Sequence, residues 1–373
     1  MPFADQLIGP ATADTLLHAL RSVAPKAKFP ALRSAARSLG PLPLRERSDL
    51  LRDALLEDLP GSYADFAATV RAAALGEPSF TGWLIWPVTS AVAHKGIGEG
   101  TDAAFDDALD LLAELTGRLT SEFALRPLLR HDHRRALKRV GGWTRHADHD
   151  VRRLASEGTR PFLPWATRVP ALLAEPRATL PILDDLYRDT SEYVRRSVAN
   201  HLNDLSRNHP DLVVETAGAW LAAPDENTSR LVRHALRSLI KQGNPGALAL
   251  MGFAPDPALD ISGPTLAEDV VPYGGTLHFT ANVTNTAAQP VQLAIDYVVH
   301  HLRANGQQST KTFKLATKSL GADETLDISR AHSFREVTTR RYYPGEHAVE
   351  LQINGTRHGH VTFDLQAPGA VRA

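Results

Sequence analysis

Through residues 1–250 apolar side chains recur every three to four positions, and beyond residue 254 they recur every second one. The first pattern predicts helices. Asp49–Leu59 carries apolar residues at helical spacing and is stopped by Pro60-Gly61, and Asp102–Leu115 repeats the pattern behind an Asp cap. Thr190–Leu205 is the strongest helix, with Val194, Val198, Leu202 and Leu205 forming one apolar stripe. Pro181, Pro210 and Pro245 fall where helices begin or end, as an array of helix pairs requires. The proline-rich stretch Phe253–Ala258 reads as a linker. After it, Leu277, Phe279, Ala281 and Val283 alternate with polar residues, as do Val349, Leu351 and Ile353. Turn signals recur at Tyr273-Gly-Gly275, Asn305-Gly306, Pro344-Gly345 and Asn354-Gly355. Short strands over residues 260–373 predict an Ig-like β-sandwich, without the Cys-Trp-Cys framework of antibody domains.

Within the helical part a short phrase returns: Asp150-Val-Arg-Arg-Leu-Ala155, Tyr193-Val-Arg-Arg-Ser-Val-Ala199 and Leu231-Val-Arg-His-Ala235. Its valines, Val151, Val194 and Val232, lie 43 and 38 residues apart. A helical unit of about 40 residues is the period of HEAT-like repeats. The predicted fold is therefore mainly α: a right-handed α-solenoid of HEAT-like repeats over residues 1–253, followed by the Ig-like β-sandwich over 260–373.

Composition narrows the chemistry. There is no cysteine, which excludes disulfides and cysteine-held metals. The N-terminus lacks a basic start followed by an apolar stretch, and no run of 18 apolar residues occurs, so the expected location is cytoplasmic, with no membrane partner. A net charge of -1 conceals an asymmetry. Residues 49–115 hold 12 Asp and Glu against three basic residues, whereas 126–168 hold 11 Lys and Arg against four acidic ones. The basic zone, with four histidines, reads as a face for a polyanion such as nucleic acid; a solvated helix surface is the plainer alternative.

The motifs vary in weight. His94-Lys-Gly-Ile-Gly-Glu-Gly100 follows no convincing strand and matches neither nucleotide fingerprint, so it reads as an inter-repeat loop. His131, His133, His146 and His149 lack zinc spacing and read as polar or phosphate-facing groups. More pointed are the carboxylates set among arginines, Glu122, Glu157 and Asp204, which should stay ionised. Salt bridges between repeats would use the same residues. Trp165, flanked by Pro161 and Pro164, is either a core residue or a ring facing a ligand from a loop.

Three of these segments, in order, resemble a known family: Thr120-Ser-Glu-Phe-Ala-Leu-Arg-Pro127, then Val151-Arg-Arg-Leu-Ala-Ser-Glu-Gly-Thr-Arg-Pro161 with Trp165, then Val194-Arg-Arg-Ser-Val-Ala-Asn-His-Leu-Asn-Asp-Leu-Ser-Arg-Asn-His-Pro-Asp211. They look like the AlkC branch of the HEAT-like repeat alkylpurine DNA glycosylases, in the form that carries a C-terminal Ig-like domain. The resemblance implies hydrolysis of the N-glycosidic bond of cationic alkylated bases, chiefly 3-methyladenine and 3-methylcytosine, in base excision repair. It implies no cofactor or metal, and no flipping of the lesion into a base-shaped pocket. The partner would be double-stranded DNA containing alkylated bases, bound by a monomer that is nucleoid-associated when on DNA. By resemblance Glu157 and Asp204 face the sugar and water, Glu122 assists, and Trp165 offers its face to developing positive charge. Arg153, Arg160, Arg195 and Arg196 would bind phosphates, and Arg340 and Arg341 of the C-terminal domain, near Tyr342-Tyr343, would clamp the DNA. The third phrase, at Val232, has no comparable carboxylate and reads as scaffold. The competing expectation is a non-catalytic HEAT-like scaffold for DNA or protein, and a metal-dependent hydrolase is a third reading.

Overall fold

The computed structural model describes residues 7–336 and 341–368. Among them sixteen α-helices run from Pro10 to Leu250 and eight strands from Leu259 to Leu365. Two compact units result. One holds the described residues up to His209 together with Ala219–Ala235; the other holds Pro210–Gly218 and the described residues from Leu236 onward.

In the first unit, helix Ile85–Gly98 packs on Leu44–Asp58 and on Asp102–Leu115, while Pro10–Val23 packs on Tyr63–Gly76. The stretch read as a glycine-rich loop is the last turn of helix Ile85–Gly98. A Cβ at Gly96 would come within 2.7 Å of the Ala108 Cβ, so glycine there permits the close approach of Asp102–Leu115. Gly100, at φ +72°, ends the turn in the left-handed region. The cap of Asp102–Leu115 is Thr101, whose Oγ1 accepts from Ala104 N at 3.3 Å, and not Asp102. Pro181, Pro210 and Pro245 all stand in first turns of helices, where a missing N–H costs nothing.

The three phrases fall on helices His149–Glu157, Glu192–Leu205 and Thr228–Ala235, and the middle one packs against both others. Val151, Val194 and Val232 are buried, as is the stripe Val194, Val198, Leu202 and Leu205. The first arginine of each of two phrases performs one task. Arg152 donates to the carbonyls of His146 and Ala147 and reaches forward to Asp189 at 2.6 Å. Arg195 donates to the carbonyls of Asp189 and Thr190 and reaches forward to Asn227 at 3.3 Å. Each ties its own helix start to the start of the next repeat.

The second unit is built on β1 (Leu259–Leu266), β2 (Val270–Val271), β3 (Thr276–Asn285), β4 (Val291–Leu302), β5 (Gln308–Leu320), β6 (Thr325–Ser333), β7 (Gly345–Ile353) and β8 (Thr356–Leu365). The sheets are ordered β1-β3-β6 and β2-β8-β7-β4-β5. Leu277, Phe279, Ala281 and Val283 of β3 enter the core with Val349, Leu351 and Ile353 of β7. Asn354-Gly355 joins β7 to β8 with both residues at positive φ, as a tight hairpin requires. β7 departs from simple alternation: Glu350 and Gln352 are buried too. Helices before residue 254 explain part of this. Leu248 and Phe253 cluster with Ala294, with Ile240 and Met251 against them, and Gln352 donates to the Lys241 carbonyl at 2.8 Å. The sequence boundary at 253/260 marks the change from helix to strand, but compact packing changes earlier, because these short helices bury their apolar side on the sheet. Among the described residues no helix is long and apolar enough to cross a membrane.

Candidate active site

Three segments of the first unit bring the sequence-selected carboxylates together. Glu157 is the last residue of helix His149–Glu157, Asp204 lies in the last turn of Glu192–Leu205, and Glu122 precedes helix Leu125–His131. Arg160 joins two of them: its Nη1 donates to Glu157 at 2.7 Å, while Nε and Nη2 grip Asp204 at 2.9 and 3.1 Å. Arg153 donates to Glu122 Oε2 at 2.6 Å and lies 3.6 Å from Glu157. Three carboxylates thus share two guanidiniums, leaving one negative charge in a buried network. Burial alone would raise the Glu157 carboxyl, but Arg153, Arg160 and the Ser197 hydroxyl together hold it below the usual carboxylate range. Burial would likewise lower the Arg153 and Arg160 guanidiniums, and their carboxylate partners more than offset it.

The oxygens of the three acids differ in what is left to them. Both Asp204 oxygens are gripped by Arg160, and Oδ2 also accepts from Phe162 N at 3.3 Å. Glu157 gives Oε1 to Arg160 and Oε2 to Ser197 Oγ at 2.7 Å. Ser197 is itself bonded to Ser156 Oγ. Behind this chain sits His201, fully buried and pushed down to about 4 by burial, hence neutral. Its Nδ1 donates to the Ser156 carbonyl at 2.8 Å, so Nε2 accepts from Thr179 at 3.1 Å. Glu122 Oε2 accepts from Arg153 and from Thr120 Oγ1 at 3.0 Å, whereas Oε1 makes no hydrogen bond among the described residues.

Glu122, Glu157 and Trp165 line one cleft of about 300 Å³, together with Trp83, Trp86 and Phe123. Asp204 does not line it: it stands behind Arg160, 3% exposed, as a support. Trp165 is 66% exposed and sits at φ +60°, a conformation that bulky residues rarely adopt without external restraint. Its carbonyl accepts from Arg45. The loop it rides is held from beneath by Arg126, fully buried, which donates to the carbonyls of Gly158, Arg160 and Thr167 at 3.0, 2.8 and 3.0 Å. Burial brings the Arg126 guanidinium down to about 10, so it remains charged at neutral pH. The sequence reading passed over Arg126, Ser197, Trp83, Trp86 and Phe123. Trp86 stacks on Phe123 at 4.5 Å, an aromatic wall that in sequence is indistinguishable from core.

The structure redistributes the arginines. Arg160 is buried in the network, Arg153 is largely buried with its guanidinium 5.0 Å from the Tyr193 ring centre, and Arg195 is committed between repeats. These are positions for ordering the site rather than open phosphate contacts. Arg196 is exposed. In the second unit Arg341 is exposed, its guanidinium 5.7 Å from the Tyr343 ring centre, and Arg340 lies outside the described residues. The contrast of acidic and basic zones also changes meaning. Arg135 pairs with Asp102 and Asp106 at 2.6 and 2.7 Å, and Arg139 with Asp110. These contacts neutralise part of the contrast across neighbouring helices and leave Arg130, Arg134, Lys138 and Arg145 exposed. His133 approaches Glu175 at 3.5 Å, and His149 approaches Asp148 and Asp150.

Known proteins resemble this chain over most of its length. Residues 260–367 match the family described as the C-terminal Ig-like domain of the uncharacterised protein YhaZ. The uncharacterised protein YhaZ of Bacillus subtilis is 35% identical over 326 residues, which cover 87% of this chain and 88% of that one. The alkylpurine DNA glycosylase AlkC of Pseudomonas fluorescens, solved bound to DNA containing an abasic site analog, superposes with a TM-score of 0.87 at 33% identity, covering 98% of this chain and 100% of its own. The chain belongs to the AlkC family. As in the AlkC structure it matches end to end, helical repeats precede the Ig-like domain, and the carboxylate cleft lies on the helical part of this AlkC-family chain.

Proposed function

We propose that the protein is a monofunctional DNA glycosylase that hydrolyses the N-glycosidic bond of cationic alkylated bases, 3-methyladenine and 3-methylcytosine, in double-stranded DNA. The observation that carries this reading is Glu122 Oε1, which has no hydrogen-bond partner among the described residues and lies with Glu157 and Trp165 in one cleft. A base alkylated at N3 is cationic and takes the electron pair of the C1′–N bond as it leaves, becoming neutral, so no general acid is needed. Positive charge then builds on the deoxyribose, as in glycoside hydrolysis. The Glu157 carboxylate and the exposed face of Trp165 stabilise that charge. Glu122 Oε1 orients a water toward C1′ and takes its proton. Because Trp165 projects outward, the residues meet the sugar at the surface, which supports excision without enclosing the base. No lysine lines the cleft among the described residues, in keeping with hydrolysis alone.

The test is direct. The protein is incubated with methylated DNA and the released bases are chromatographed. Release of 3-methyladenine is expected; DNA binding without release above background leaves a non-catalytic scaffold as the function.

A further inference from the structure

The first unit contains a second cavity, of about 550 Å³, that the proposed reaction leaves unused. It shares Trp86 and Phe123 with the cleft, and the chain segment after Pro164 separates the two: Trp165 lines the cleft, Ala166 and Thr167 line the cavity. Five cationic or ionisable groups, Arg45, Arg52, His94, Arg130 and His131, face a single carboxylate, Asp49. That carboxylate is already taken by Arg52 at 2.5 Å, and Arg52 also bonds Asp53 at 2.7 Å. His94 donates Nδ1 to the Ser90 carbonyl at 2.7 Å, which leaves Nε2 for the cavity. Arg45 and Arg130 have no carboxylate within ion-pair distance among the described residues, and both are exposed. Among the described residues the Arg45 guanidinium donates to the carbonyl of Trp165, a residue that lines the cleft.

We propose that this cavity binds a phosphate group, and that its occupancy is signalled to the cleft through Arg45 and the Trp165 carbonyl. Arginine pairs with phosphate through charge-assisted, often bidentate hydrogen bonds that a neutral carbonyl cannot match. A phosphate between Arg45 and Arg130 therefore competes for the donors that hold Trp165. A tryptophan at φ +60° depends on such restraints, so drawing Arg45 away changes the position of the ring that lines the cleft. The phosphate comes either from the backbone of duplex DNA or from a free monoester; only the first source rests on the glycosylase reading.

The experiment uses the full-length protein labelled with 5-fluorotryptophan, the Trp165 fluorine line being assigned with Trp165→Phe. Inorganic phosphate, deoxyadenosine monophosphate and an undamaged duplex are titrated separately, and 3-methyladenine release is measured on the same samples. A saturable shift of the Trp165 line is expected, about tenfold weaker in Arg130→Ala for loss of one charge-assisted bond and retained in Arg130→Lys. In Arg45→Ala the shift should vanish while circular dichroism stays that of the parent. A shift with duplex alone assigns the site to the DNA backbone; a shift with the small phosphates extends it to free monoesters. No shift with any probe, or equal shifts in the parent and in both alanine variants, overturns the phosphate site. Base release without a shift overturns this inference and leaves the glycosylase reading standing, whereas a shift without base release does the reverse.

Discussion

At the scale of single residues, three acids of one chemical type hold three different positions, and the difference is made by neighbours. Asp204 has no oxygen to spare, Glu157 has its oxygens occupied but faces the cleft, and Glu122 keeps one oxygen open. Glu122→Gln is expected to lower the single-turnover excision rate by about 10²–10⁴-fold, the range for loss of a general base, with little change in DNA affinity. Glu157→Gln should cost about 10²–10³-fold through lost charge stabilisation; a rate within twofold of the parent in either variant would remove that residue from the mechanism. Ser197→Ala removes a hydrogen bond that helps keep the Glu157 carboxyl below its ordinary range. The Glu157 pKa then rises, and the acidic limb of the rate profile should move to higher pH, whereas a uniformly lower rate with an unmoved limb would mean that Ser197 only packs. The types and order of the acids were legible in the chain, since the resemblance rests on their segments. Their division of labour was not, because it depends on hydrogen bonds from residues 31 to 44 positions away.

At the scale of elements, the repeated Val-Arg-Arg phrase proves to be a seam. Its valine goes to the core, and in two of the three copies its first arginine fastens one repeat to the next. The period was plain in sequence; the use of the arginine was hidden, because a charged side chain on a helix looks the same whether it meets solvent, phosphate or Asp189. Asp189 is nearly buried, so Arg152→Ala strands an unpaired carboxylate and should destabilise the protein by about 3 kcal/mol in denaturant titration. Arg230→Ala, which breaks an exposed pair with Glu192, should change stability by less than about 1 kcal/mol. Equal losses in the two would contradict the seam. The glycine run at His94–Gly100 shows a converse error: composition suggested a loop, but Gly96 serves helix contact and only Gly100 serves the turn.

At the scale of the whole molecule, part of the charge contrast between residues 49–115 and 126–168 is internal pairing, Arg135 and Arg139 with three aspartates, so the surface free for DNA is smaller than composition suggested. The second unit carries a different electrostatic signature. Burial raises the Asp296 carboxyl to about 6, against Lys241 and Lys314, which pull it down. The folded form therefore takes up a proton more readily than the unfolded chain, whose aspartates titrate near about 3.9. The stability this proton supplies is present in full below that value and is lost as pH rises through about 6. Asp296→Asn should accordingly raise Tm more at pH 8 than at pH 4; a difference constant with pH would show that folding does not raise the Asp296 carboxyl. The Ig-like unit was readable from β3, whose alternation is regular. Its recruitment of the helices before residue 254 was not, since amphipathic helices do not announce which partner they cover.

The unshared charge of the carboxylate network also bears on how a turnover would end. Glu122 Oε1 and the aromatic wall favour a cation, and the base released by the proposed reaction is neutral. Attraction would lapse in the same event that breaks the bond, so the excised base would have no electrostatic hold on the cleft. Free 3-methyladenine should then be a poor inhibitor, and departure from the abasic strand, not from the base, should limit repeated rounds.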